Sequence, residues 1–281
     1  MSRPRLALVV QPVLDLRRRP DHRAELGSQL LLGETVRVHG SGARGWVRVQ
    51  SLEDGYRGWV RDWGLAGATA GRIRGWLSHA RHVVRAPLAM VSEGRESLGP
   101  LPWMARVRVV GRRGRHALLE LPDGRRGRIA ASAVAPRGER VPRLAGRVAS
   151  LLGVPYLWGG RTVLGLDCSG LIQLVMAERG VRLPRDADEQ WRACLPLPAG
   201  AAPRAGDLLF FSSRPRGRME HVGILLGQGR FVHARGVVRI NSMDERNKQY
   251  DNILCRQLRA VGRPPAGLRG GRPAPSNGLW S

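Results

Sequence analysis

Midway along the chain the hydrophobic pattern changes period, and that change limits the folds open to it. In the first half, apolar residues alternate with polar ones in short runs separated by glycine-rich turns. Examples are Glu34-Thr35-Val36-Arg37-Val38, Gly45-Trp46-Val47-Arg48-Val49 and Arg57-Gly58-Trp59-Val60. Period two with frequent turns marks half-buried strands, and short strands so spaced suit a small, partly open β-barrel. In the second half, Leu171, Leu174, Val175 and Met176 recur at helical spacing after Cys168, and Gly180 follows as a stop signal. Beyond that helix, residues 221–226 and 230–235 read as two strands joined around Gly227-Gln228-Gly229. An all-β front and an α+β rear follow.

The front half repeats weakly. His82 to Ala86 resembles the opening strand, Ala105 to Val110 the middle strand, and Gly127-Arg128-Ile129 stands where Gly58-Trp59-Val60 stood. Two barrels are expected, over residues 1–70 and 71–138. A short segment, Pro136-Arg137-Gly138-Glu139-Arg140-Val141-Pro142, leads into a third unit at 139–262. Residues 263–281 are rich in Pro, Gly and Arg without apolar period, and read as disordered or loosely draped.

The rear unit carries the chemistry. Cys168 lies in Gly165-Leu166-Asp167-Cys168-Ser169-Gly170, where Asp167 can act as N-cap and place the thiol in the first helical turn. Free N–H groups and the helix dipole there favour an anion, so a lowered thiol pKa is expected. His221 and His233 open and occupy the two following strands. A thiol at a helix start with two histidines behind it has the parts of a nucleophile, its base and an orienting group. That combination points to a cysteine peptidase or a related acyl-transfer enzyme. Most cysteines are small buried hydrophobes, and Cys194 and Cys255 are read that way. His22, His39, His79, His82 and His116 lack a comparable setting.

The histidines impose a condition on the hairpin. A two-residue turn would put His221 and His233 on opposite faces. A three-residue loop with Gly229 left-handed shifts the register by one and brings both to one face. The catalytic reading requires the longer loop, and expects His221 within hydrogen-bond reach of Cys168.

Six ordered segments carry a family likeness: Pro155-Tyr156-Leu157-Trp158-Gly159-Gly160, Asp167-Cys168-Ser169-Gly170, Leu183-Pro184-Arg185-Asp186, Gly206-Asp207-Leu208, His221-Val222-Gly223-Ile224 and Val232-His233-Ala234. Residues from about 144 to 259 thereby resemble the NlpC-type cell-wall cysteine peptidases, which have a papain-like fold. The resemblance implies Cys168 as nucleophile, His221 as general base and acid, and His233 as the residue that orients His221. It implies an oxyanion held by the Cys168 N–H and the Tyr156 hydroxyl. It places Asp167, Ser169, Trp158, Arg185 and Asp186 in or beside the substrate cleft. Ala187 departs from the serine that many members carry after the Arg-Asp pair, which removes one expected substrate hydrogen bond.

Leu31-Leu32-Gly33-Glu34-Thr35-Val36, followed by Trp46 and Gly58-Trp59-Val60, resembles a bacterial SH3-like domain. The implied fold class is an α+β papain-like peptidase domain preceded by two small all-β SH3-like barrels. Two such modules before this peptidase resemble a subgroup that cleaves the γ-D-glutamyl–diamino acid bond of short murein peptides. By that likeness, Glu25 and Tyr56 of the first barrel close one end of the cleft and hold the free N-terminal amine of an L-Ala-γ-D-Glu-diamino acid substrate. A closed end would exclude longer glycan-linked peptides.

The formal net charge is +25, and Lys248 is the only lysine among 47 basic residues. Dispersed arginine on a solvated surface is the simplest reading, with capture of anionic wall peptides as a functional one. Nothing pairs the arginines with a nucleic-acid-binding signature, so nucleic acid is not an expected partner. No histidine or cysteine cluster has structural-zinc spacing, and the chemistry calls for no cofactor or metal. The apolar start ends at Gln11-Pro12, too early for a signal peptide, and three cysteines give no even disulfide framework. A cytoplasmic enzyme that does not insert in membranes is expected. Two rival readings are a non-catalytic wall-peptide or partner-binding protein, and an amidase or acyltransferase on the same fold.

Overall fold

The computed structural model describes residues 6–139, 143–198 and 200–265. The strand-forming runs of the first half make two seven-stranded antiparallel sheets. The first contains β1 (Leu6–Val9), β2 (Val13–Arg17), β3 (Leu26–Leu31), β4 (Thr35–Ser41), β5 (Trp46–Ser51), β6 (Arg57–Arg61) and β7 (Leu65–Ala68), in the order β3-β2-β6-β5-β4-β1-β7. The second contains β8 (His82–Val84), β9 (Leu88–Glu93), β10 (Glu96–Pro102), β11 (Arg106–Arg113), β12 (His116–Glu120), β13 (Arg126–Ala130) and β14 (Val134–Pro136), in the order β10-β9-β13-β12-β11-β8-β14. Each position in the second order is the first with seven added, so the weak sequence repeat corresponds to a repeat of topology. Alternation fills each core: Leu14, Leu16, Val49 and Val60 point inward in the first module, Ala89, Val91, Leu119 and Ile129 in the second.

Between the sheets lies a helix that the strand pattern did not anticipate, α1 (Ala70–His79). Thr69 caps it by accepting the Arg72 N–H, and Ile73 and Trp76 are buried against Leu8. The boundary expected between residues 70 and 71 therefore falls inside a helical turn. The Trp76 indole donates to the Gly33 carbonyl at 2.9 Å. Gly33 has φ +80°, and a Cβ there would lie 2.9 Å from the Arg106 Cβ, so only glycine lets the two modules meet this closely.

The rear unit contains α2 (Leu144–Ala149), β15 (Arg161–Thr162), β16 (Gly165–Leu166), α3 (Cys168–Glu178), α4 (Ala187–Ala193), β17 (Leu195–Pro196), β18 (Leu208–Phe211), β19 (His221–Gly227), β20 (Arg230–Arg235), β21 (Val237–Ser242), α5 (Asn252–Gln257) and β22 (Leu258–Arg263). Its main sheet runs β17-β22-β18-β19-β20-β21. Helix α3 is buried almost throughout, with Leu171, Ile172, Leu174 and Val175 packed among Val222, Ile224, Val232 and Ala234. Leu31 of the first module and Trp103 of the second belong to that same core. The last strand ends on Arg263, which forms a two-pronged pair with buried Asp207, at 2.9 Å in each contact. Arg263 is thus part of the sheet rather than of the tail. The remaining tail from 266, the first five residues and Arg140-Val141-Pro142 of the linking segment lie outside the described residues.

Not all the arginine is on the surface. Arg106, Arg147, Arg161 and Arg185 are buried, and each pairs with an acid: Glu53, Glu178, Glu34 and Asp167. The Arg106, Arg147 and Arg161 groups sit where the units meet. Arg161 donates to the Gln29 carbonyl and Glu34 of the first module; Arg147 reaches the Arg85 carbonyl of the second and lies 4.6 Å over the Trp103 ring. Buried pairs contribute little net stability but are costly to break, so they fix the relative placement of the units. Among the described residues, no helix is long and apolar enough to cross a membrane.

Candidate active site

Asp167 caps α3 as the sequence implied. Its Oδ1 accepts the Gly170 N–H at 2.6 Å, and Cys168 is the first helical residue. The second oxygen, Oδ2, accepts the Gly159 N–H at 2.9 Å. Arg185 grips both oxygens, donating from Nη1 at 3.0 Å and from Nη2 at 2.6 Å. It also donates to the Ser169 hydroxyl at 2.8 Å and, through Nε, to Ser28 of the first module at 3.0 Å. Asp167, Ser169 and Arg185 are all buried. They form a mutually satisfied cluster that fixes the start of α3.

The two histidines share one face of the sheet, reached by another route than a three-residue loop. Residues Gln228 and Gly229 form a two-residue turn, both with positive φ, of +52° and +69°. The extra residue is in the strand: pairing runs Ile224↔Val232 and Leu225↔Phe231, then skips to Gly227↔Arg230, a β-bulge at Leu226–Gly227. The bulge makes the one-residue shift that the loop was expected to make. His221 Nε2 and His233 Nδ1 are 2.8 Å apart, with the rings edge-on at 87°. His233 is fully buried, and its Nε2 lies 2.9 Å from Oδ1 of Asn241, a residue the sequence reading passed over.

No hydrogen bond links the thiol to His221 among the described residues. The backbone N–H groups of Val222, one residue on, and of Ser169 act on the sulfur and favour its anion. The expected depression of the thiol pKa is also absent. Burial, then the Asp167 carboxylate, pushes Cys168 up to about 12, which outweighs those N–H groups and Arg185. Burial pushes His221 down to about 3, helped by His233 and Arg235. Each group alone is held neutral. Tyr156 lies close enough to Cys168 and Asp167 for both to raise its pKa, after burial.

The remaining residues come from both the rear unit and the first module. Trp158 is 60% exposed, and its indole donates to Glu25 Oε1 at 2.9 Å, across the boundary between the units. The Tyr56 hydroxyl is buried without a hydrogen-bond partner. Burial pushes it up to about 12, and Asp186, Arg18, Arg185 and Glu25 are the charges it feels. Arg18 lies 5.3 Å over its ring, a contact not foreseen. Asp186 opens α4 without capping it, and burial raises its pKa. Ala187 behind it is buried. The structure thus joins His221 to His233 and Asn241, sets Tyr156 near Cys168, and pairs Trp158 with Glu25, whose charge, like that of Asp186, acts on Tyr56.

Residues 153–257 match the NlpC/P60 family, and residues 16–65 match the bacterial dipeptidyl-peptidase Sh3 domain. The chain is 41% identical over 87 residues to the gamma-D-glutamyl-L-lysine dipeptidyl-peptidase of Bacillus subtilis (strain 168), covering 31% of this chain and 29% of that protein. It is 36% identical over 118 residues to dipeptidyl-peptidase 6 of Lysinibacillus sphaericus, covering 40% of each. These matches span less than half the length of those relatives. The crystal structure of an NlpC/P60 family protein from Bacillus cereus ATCC 10987 superposes with a TM-score of 0.79 at 20% identity, over 92% of this chain and 99% of that one. That likeness is one of fold.

Proposed function

We propose that this NlpC/P60 domain, with the SH3-like module closing one end of its cleft, is a cysteine peptidase that hydrolyses the γ-D-Glu–diamino acid bond of short murein peptides with a free N-terminal L-Ala. The observation that supports this reading is a set of acceptors around Tyr56. The buried Tyr56 hydroxyl has no partner, Asp186 leaves its helix uncapped, and Glu25 is held in place by the Trp158 indole. An ammonium offers three donors and a charge, and answers all three. An unpaired buried polar group is costly, so a ligand that satisfies Tyr56 is favoured. The names of the two relatives above, both dipeptidyl-peptidases, agree with a substrate read from its amino end.

In this reading the Cys168 sulfur attacks the γ-amide carbonyl as its proton passes to His221. The Cys168 N–H, free at the first helical position, and the Tyr156 hydroxyl stabilise the oxyanion. The imidazolium of His221 then gives its proton to the departing amine, and a thioester remains on Cys168. Water, deprotonated by His221, attacks that thioester and releases the dipeptide acid and the thiol. Asp167, Ser169 and Arg185 hold the helix that presents the nucleophile. A closed end favours peptides already released by wall turnover, in a compartment reducing enough to keep the thiol free.

The test is incubation with L-Ala-γ-D-Glu-diaminopimelate and its N-acetyl form, read by mass spectrometry. Cleavage of the free-amine peptide at the γ-D-Glu bond is expected. Losing a charged contact of this kind costs about 2–5 kcal/mol, so the acetylated peptide should be slower by roughly thirtyfold to several thousandfold. Equal cleavage of both would overturn the amine reading, and transfer to an added amine instead of hydrolysis would favour an acyltransferase.

A further inference from the structure

The observation concerns what lies behind His233. Its cross-strand partner on β21 is Arg239, and Asn241 stands one step along the same face, opposite Phe231. Asn241 is buried, and its amide has only one workable orientation. Oδ1 takes the Arg239 Nε–H at 2.9 Å, while Nδ2 donates to the Gln249 carbonyl at 3.1 Å. The oxygen therefore faces His233 Nε2. A carboxamide oxygen only accepts, so the His233 proton must sit on Nε2.

We propose that Asn241, itself held by Arg239, is a positioning residue that sets the tautomers of both histidines and so keeps Nδ1 of His221 as the base. With its proton on Nε2, neutral His233 has a bare Nδ1. That atom accepts from His221 Nε2, 2.8 Å away, so His221 carries its proton there. One ring nitrogen of His221 is then left unprotonated, and it is the one not committed to His233. The direction of the whole relay is thus fixed three side chains away from the thiol. An orienting group of this type acts through the histidine it holds and touches no substrate. The inference rests on the hydrolytic reading only for its kinetic arm.

Arg239 and Asn241 face His233 from β21, His221 faces it from β19, and Arg235 and Asp251 act on it from nearby. Against that background two variants separate orientation from packing. Asn241→Leu keeps the volume but removes the acceptor. Asn241→Asp keeps an acceptor for both His233 and Arg239 and adds charge. The leucine variant should lower kcat by at least about tenfold with KM within about twofold, and the aspartate variant should largely restore kcat. Because the carboxylate favours imidazolium, it should also raise the acid limb of the pH profile.

Nitrogen NMR of histidine-labelled protein reads the tautomers directly and needs no substrate. Protons on Nε2 of both rings are expected in the unaltered chain, and a redistribution toward Nδ1 in Asn241→Leu. A proton on His233 Nδ1 in the unaltered chain would overturn the proposal even if neither variant folds. So would equal loss of activity in both variants with tautomers unchanged, which is a purely structural role. Failure of the murein peptide to be cleaved would leave the NMR arm standing, so the two readings fail separately.

Discussion

Gly159→Ala should loosen the proposed closed end of the cleft, where Gly159 abuts Leu26 of the first module, without touching any reacting group. Gly159 has φ +77°, and a Cβ built there would lie 2.8 Å from the Leu26 carbonyl carbon in the first module. An unstrained carbon contact needs about 3.5–4.0 Å, so the module must retreat by roughly 1 Å. Two costs add. An alanine in the left-handed region costs about 1–2 kcal/mol, and forced overpacking about 1–3 kcal/mol. Their sum, about 2–5 kcal/mol, corresponds to a fall in Tm of roughly 4–10 °C for a chain of this size. Gly153→Ala separates the terms, because Gly153 has φ +83° with open space around its Cβ position. That variant should lose only about 2–4 °C. Retreat at residue 159 also strains the neighbouring Trp158–Glu25 and Gly159–Asp167 hydrogen bonds. Calorimetry measures the first effect, and the ratio of rates on free-amine and N-acetyl peptides the second. If Gly159→Ala melts with Gly153→Ala and discriminates like the unaltered chain, the closed end does not depend on this contact and the reasoning fails.

Cys168→Ser and His221→Ala should each abolish hydrolysis with circular dichroism unchanged; residual turnover in Cys168→Ser above about one part in a thousand would point to another nucleophile. Burial holds His221 down at about 3 and depresses His233 as well. An unfolded imidazole takes its proton near about 6.5, so from there down to about 3 the unfolded chain binds protons the folded chain refuses, and stability falls as pH drops. His221→Gln should flatten that slope in urea titrations, and an unaltered slope would contradict it. Arg147→Met leaves buried Glu178 with the Trp103 indole and only the more distant Arg179 cation, at 3.7 Å, which should cost about 3–5 kcal/mol, or roughly 6–10 °C in Tm. A loss below about 2 °C would show that Glu178 finds another partner.

Local signals were legible and long-range ones were not. The helix start at Cys168, its Asp167 cap and the strands of both histidines follow from spacing and capping alone. The hairpin was half legible. Gly227-Gln228-Gly229 serves a three-residue loop or a two-residue turn with a bulge, and only the paired strand distinguishes them. Helix α1 carries just two buried apolar residues, Ile73 and Trp76, too few for its period to stand out. Asn241 looks like any polar residue near a strand end until the β20–β21 register sets it behind His233. The thiol was misjudged because a helix N-terminus is visible in sequence while desolvation is a property of the assembled core. The buried arginines were missed for the same reason, since their acids come from distant segments.

Leu31 and Trp103 have an implication for how such chains diversify. Both side chains come from the front modules, and both fill the core that supports the nucleophile's helix. In this chain the rear unit therefore depends on its front modules to complete its core. A descendant that inherited it alone would carry two holes where those side chains had been, next to the helix that must hold still. New specificity is more accessible by drift within the β2–β3 and β5–β6 turns, which carry Glu25 and Tyr56, than by exchanging whole modules. Lineages of this architecture should accordingly vary those turns while keeping a large apolar residue at each of the two plug positions.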